Sequence, residues 1–83
     1  MSTIQFVDEE RRDLLRDLGE IARGCEPLRA DSPQEYRREA IRRMRRYLQS
    51  VGEHPVFRQF CQQARLHQDE FMADVLRRAV DAL

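Results

Sequence analysis

Lysine, asparagine and tryptophan are missing from the 83 residues, and all 15 basic side chains are arginines. The joint loss of lysine and asparagine fits a GC-rich coding genome, so a bacterial or phage origin is expected; it carries no mechanism. With only three glycines and three prolines, the composition excludes a β-sandwich and a low-complexity disordered tail. No apolar run approaches the roughly 20 residues that span a bilayer. The first residues have neither a basic n-region nor an apolar h-region, so a cytoplasmic protein with no membrane attachment is expected.

The two cysteines, Cys25 and Cys61, form no C-x-x-C and have no histidine at ligand spacing. Reduced thiols are expected, Cys25 near a loop and Cys61 on an apolar helical face; a Cys25–Cys61 disulfide stays open at this point. His54 and His67 stand in no H-x-x-x-H or E-x-x-H pattern. His54, before Pro55, reads as a turn or capping residue, and His67 as a residue at a helix break or on the surface. No glycine-rich phosphate loop or nucleophile elbow occurs. The carboxylates are interleaved with arginines on helix faces, whereas acid–base catalysis needs them in a pocket. No catalytic residues, metal or cofactor are therefore expected.

What is present is 41% hydrophobic and 36% charged residues, the balance of a soluble helical domain. So short a chain forms one domain, residues 1–83, with a small core. Lacking a disulfide framework or metal, it is expected to self-associate.

Residues 2–7 are ambiguous. Ile4 and Phe6 alternate with polar neighbours, as in an extended arm, while Ser2 and Gln5 have capping-box spacing. The arm is the favoured reading, followed by a helix over residues 8–23 whose first turn holds Asp8, Glu9 and Glu10. Its apolar stripe is Val7, Leu14, Leu15, Leu18, Ile21 and Ala22, opposite an acidic line of Glu9, Asp13, Asp17 and Glu20. Gly24 is the expected C′ residue.

After a loop broken by Pro27, Ser32-Pro33-Gln34-Glu35 combines a serine N-cap, proline at N1 and glutamate at N3, the strongest local signal in the chain. The second helix covers residues 33–51, buries Tyr36, Ala40, Ile41, Met44, Tyr47, Leu48 and Val51, and stops at Gly52. Pro55 opens a third helix over 55–66, and a fourth covers 68–82. No glycine or proline separates these two, so they could be one helix; Gln68-Asp69-Glu70 resembles a fresh first turn and favours a break near His67. The expected architecture is an all-α, compact three- or four-helix bundle with a short extended N-terminal arm.

The zero net charge hides a polarised chain. Residues 1–35 carry nine acids and five arginines, residues 36–48 six arginines and one acid, and residues 49–83 five acids and four arginines. On a helical wheel Arg38, Arg42, Arg45 and Arg46 gather opposite the apolar face, and Arg37 is expected to lay its stem across that face. Glu35 with Arg38, and Glu39 with Arg42 or Arg43, have ion-pair spacing.

Such a block is a solvated face, a docking surface for an acidic protein patch, or a phosphate-contacting surface. Overall neutrality and the flanking acids argue against nucleic acid. A helix-turn-helix over residues 57–82 would open its recognition helix with Asp69 and Glu70, against the phosphates. The arm followed by helices resembles the ribbon-helix-helix proteins in element order alone. The expected role is therefore non-enzymatic binding of a larger protein, as an inhibitor, anti-activator, adaptor or chaperone-like subunit. Arg38, Arg42, Arg45 and Arg46 would steer, and partly exposed Tyr47, Phe57, Phe60, Phe71 and Met72 would anchor. A small DNA-binding regulator is the alternative.

Overall fold

A computed structural model describes residues 3–29 and 32–83, with side chains from Gln5 onward. Four α-helices follow one another: α1 (Thr3–Arg23), α2 (Pro33–Glu53), α3 (Pro55–Gln63) and α4 (Gln68–Asp81), with a 3-10 turn at Glu26–Leu28. The described residues contain no strand. The chain is an all-α bundle in which α1 packs on α2 and α4, and α2 also packs on α3 and α4.

The expected extended arm is not formed: α1 is already helical at Thr3. Burial explains this correction. In a strand Phe6 and Val7 would face opposite ways, whereas on a helix Val7 shares the inward stripe of Leu14 and Leu18, and all three are buried. Phe6 then reaches α3, its ring centroid 5.1 Å from that of Phe60. Asp8, Glu9 and Glu10 consequently stand beyond the first turn, where Asp8 accepts from Arg11 at 2.7 Å. The ribbon-helix-helix likeness falls with the arm. Ser2, and with it the capping box at Gln5, lies outside the described residues.

Neither glycine expected to stop a helix does so by a left-handed turn, since no described glycine has positive φ. At Gly24 the chain keeps turning right-handed, with Gly24 N–H donating to Glu20 O and Cys25 N–H to Ala22 O, both 3.0 Å. That path buries Cys25, whose thiol faces the Ile21 carbonyl at 3.6 Å. Gly52 is buried inside α2, and a Cβ there would stand 2.8 Å from Gln68 Nε2. The close approach lets Gln68 donate to Gly52 O at 2.9 Å, tying the start of α4 to the end of α2. Pro55 ends α2 instead, because the residue before a proline is driven to extended backbone, as His54 is (φ −76°, ψ 129°).

The caps read from the sequence hold in part. Ser32 Oγ accepts from Glu35 N–H at 3.2 Å. The Ser32 amide donates to Leu28 O at 3.0 Å, so the reciprocal half of the box is replaced by a backbone bond. His54 Nδ1 accepts from Val56 N–H at 3.2 Å, capping α3.

The chain breaks between α3 and α4, and Arg65 takes the left-handed conformation (φ 57°). Leu66 N–H reaches Cys61 O at 2.9 Å and Arg65 N–H reaches Gln62 O at 3.2 Å, the paired 6→1 and 5→2 bonds of a Schellman motif. Leu66 packs against the core behind the turn. This corner lets α3 and α4 each turn a phenylalanine face inward.

The core divides along the bundle. At one end Phe57, Phe60 and Phe71 pack with centroids 5.9–6.2 Å apart. Beyond them Leu18, Ala22, Cys25, Ala40 and Ala79 make a core of small and aliphatic side chains. The bundle is elongated, 45 × 22 × 17 Å with a radius of gyration of 13.9 Å, against about 12 Å for a compact chain of this length.

Candidate functional site

Every fourth residue of α2 from Ala40 through Met44 and Leu48 to Gly52 is buried. This row holds the helix against its neighbours and thereby fixes what faces outward. Arg38, Arg42, Arg45 and Arg46 are exposed there. Together with half-buried Ile41 and exposed Gln49 they line a shallow depression of about 470 Å³. Ile41, expected on the buried face, is half-buried and packs against the core at its edge; three residues after Arg38, next to Arg42 and four before Arg45, it is also an apolar centre among guanidiniums. Positions 38, 41, 42, 45 and 49 form a helical stripe of the kind a second helix packs along.

Within this face the charges are unevenly spent. Glu39 accepts from Arg42 Nε at 3.0 Å and from Arg43 Nε at 2.7 Å. The hydrogen bond from Arg42, then that from Arg43, pulls the Glu39 carboxyl down to about 2. It therefore stays ionised and orients Arg42. The pairing of Glu35 with Arg38 suggested by their spacing does not form. Among the described residues no carboxylate lies within ion-pair distance of Arg37, Arg38, Arg45 or Arg46. Arg37 is exposed.

The structure brings the four arginines together and separates them from the expected anchors. Phe57, Phe60 and Phe71 are 5%, 8% and 5% exposed. They are core residues, correcting the expectation of partial exposure: the α3–α4 corner folds their rings onto one another and onto Phe6. Tyr47 is half-buried and already engaged, its hydroxyl donating to Asp17 Oδ2 at 2.6 Å. Met72 is half-buried, beside Gly52 and Gln68. Among the described residues the large apolar side chains that are exposed are Phe6 and Val56, which sequence reasoning missed. Val56 follows Pro55 in the first turn of α3 and stays exposed although it stands four residues before Phe60 on the same side of the helix; Phe6 falls in the segment expected to be extended.

The acidic line on α1 is partly neutralised within its own helix, Arg16 lying 3.5 Å from Asp13 and 3.7 Å from Asp17. Glu10 is raised, first by burial and then by Asp13 and Asp17. Both cysteines are free and buried; burial, then Glu10, pushes the Cys61 thiol up. The described residues hold no group of three side chains able to share a metal ion. No helix among them is long and apolar enough to cross a membrane.

Comparison with known protein families, curated proteins and solved structures returns no match. The reading of the site rests on its own geometry.

Proposed function

We propose that this chain is a non-catalytic docking protein that binds a larger protein through the outward face of α2, as an inhibitor, anti-activator or adaptor. The observation that carries this reading is the placement of Arg38, Arg42, Arg45 and Arg46 around Ile41 on one exposed stripe. An acidic helix or patch with an apolar residue opposite Ile41 complements it: the guanidiniums steer and orient, and the isoleucine adds a dry centre. Surface supports the same reading. The accessible area is 6047 Å², whereas about 5,200 Å² is typical of a compact monomer of this mass. An elongated bundle has area to give to a partner, and self-association through the same excess belongs to the proposal.

Burial of the phenylalanines favours a second reading, a small DNA-binding regulator. It leaves a face that is almost wholly guanidinium, the chemistry that meets phosphates. One experiment separates the two. The partner recovered from host lysate with and without nuclease is titrated against the wild type and Arg42→Glu/Arg45→Glu, at low and moderate salt. Loss of a nuclease-resistant protein complex on double reversal, with helical content retained, is the expected result. Nuclease-sensitive recovery, with affinity collapsing as salt rises, transfers the function to DNA. Undiminished binding by the double variant overturns both.

A further inference from the structure

A second concave surface lies at the small-residue end of the bundle, away from the depression on α2. It is a half-open groove of about 540 Å³, within the roughly 300–1,000 Å³ usual for small-ligand sites. Its apolar floor comes from Leu15, Leu18 and Gly19 on α1 and from Ala79, Ala82 and Leu83 at the end of α4. Arg23, Arg29 and Arg78 stand around it, with Glu26 as the one described acidic side chain in the wall. Arg78 donates through Nε to Asp74 at 3.0 Å. Arg23 and Arg29 have no described carboxylate within ion-pair distance. Arg29 is instead positioned by Tyr36, its guanidinium carbon 5.5 Å from the ring centroid.

Gly19 supplies an independent observation. A glycine within a helix costs about 1 kcal/mol relative to alanine, so it calls for a reason. Gly19 has no positive φ, and a Cβ there would meet only Arg23 Nη1, at an ordinary 3.6 Å. Neither backbone conformation nor packing within the chain demands a bare backbone. What the missing side chain does is keep the groove open, with the Arg23 guanidinium beside the gap.

An apolar trough with guanidiniums at its edge selects for charge sign and for shape together. A guanidinium binds a carboxylate through two parallel N–H···O bonds, and the trough removes an alkyl chain from water. We infer that the groove between α1 and α4 binds a small amphiphilic carboxylate, its head on Arg23 and Arg29 and its alkyl chain over Gly19 between Leu15 and Ala79. The site shares no residue with the arginine stripe of α2, so it stands or falls separately from the docking function.

The test uses the full chain and dodecanoate below its micelle-forming concentration, followed by calorimetry and by amide chemical shifts. The expected result is saturable one-to-one binding with shifts clustered along residues 15–23 and 78–83. Gly19→Leu, which fills the trough while improving helix propensity, should weaken binding by about tenfold or more. Arg23→Gln/Arg29→Gln should do the same by removing charge-assisted hydrogen bonds, and it covers the case in which Gly19→Leu misfolds. Dodecyltrimethylammonium, with the same chain and the opposite charge, should not bind. Failure of dodecanoate to saturate, equal affinity for the cationic amphiphile, or wild-type affinity in the folded variants would overturn the site.

Discussion

The two ends of this bundle bury comparable stripes of helix but fill them differently. At one end Phe57, Phe60 and Phe71 interlock as buried rings, with Phe6 against Phe60. At the other, α1 and α4 meet through Leu18, Ala22 and Ala79, and the space beside them stays open to water. Aromatic rings bring large area and directional contacts, so the first end is where a small core gains its stability. Small side chains bring helices close without filling the flanks, so the second end has concavity to offer a ligand. With the inferred ligand in the groove, stability and small-molecule binding fall to different ends of one short domain.

The largest expected effect tests that division directly. Phe57→Ala should cost about 3–5 kcal/mol, because it opens a cavity among rings that cannot collapse onto it. That is a large part of the stability of a small domain. Leu15→Ala, at the wall of the groove, should cost only about 1–2 kcal/mol, since the space it leaves is already continuous with solvent. Urea denaturation followed by helical circular dichroism measures both. Equal costs would break the comparison, by showing that the open end is as tightly filled as the aromatic one.

Between the two ends Tyr47 ties α2 to α1 through Asp17, and its effect should be intermediate. Tyr47→Phe should lose about 1 kcal/mol at neutral pH. Burial, then the hydrogen bond to Asp17, pushes the hydroxyl up to about 12, from the roughly 10 of an unfolded chain. A raised tyrosine favours the protonated, folded state. Its contribution is therefore full below about pH 10 and is lost as pH climbs towards 12, because the unfolded chain releases its proton first. Denaturation midpoints across that window should fall more steeply for the wild type than for Tyr47→Phe. Parallel slopes would remove Tyr47 as the tie.

Much of this construction is legible in the sequence where local chemistry and burial agree. Ser32, Pro33 and Glu35 announce α2 because capping is decided by neighbours along the chain. The Ala40–Met44–Leu48 row and the four arginines opposite it follow from helical periodicity. Legibility fails where a distant contact outweighs the local pattern. Ile4 and Phe6 alternate with polar neighbours like a strand until Phe60 recruits the first turn into a helix. Gly52 looks like a helix stop, yet it is an interior residue kept small for Gln68. The phenylalanines of α3 and α4 look available to a partner because a corner that the sequence marks with no glycine folds them together. The floor of the α1–α4 groove is invisible for the same reason: Gly19 looks like a weak helix position until α4 lies beside it.

That unmarked corner supplies the smallest expected effect and the sharpest test of how the aromatic end is built. A Schellman turn puts its C′ residue in the left-handed region, where glycine is at ease and a residue with a Cβ is strained by about 1–2 kcal/mol. Here the position belongs to Arg65. The strain persists because straightening the corner would carry α4 away from α3 and separate Phe71 from Phe57 and Phe60. Arg65→Gly should therefore stabilise the protein, though by less than the strain it relieves, since glycine also frees the unfolded chain. A net gain of roughly 0.5–1 kcal/mol in urea denaturation is expected. A loss of stability would mean that the arginine side chain itself holds the corner, and that ring packing alone does not set the angle between α3 and α4.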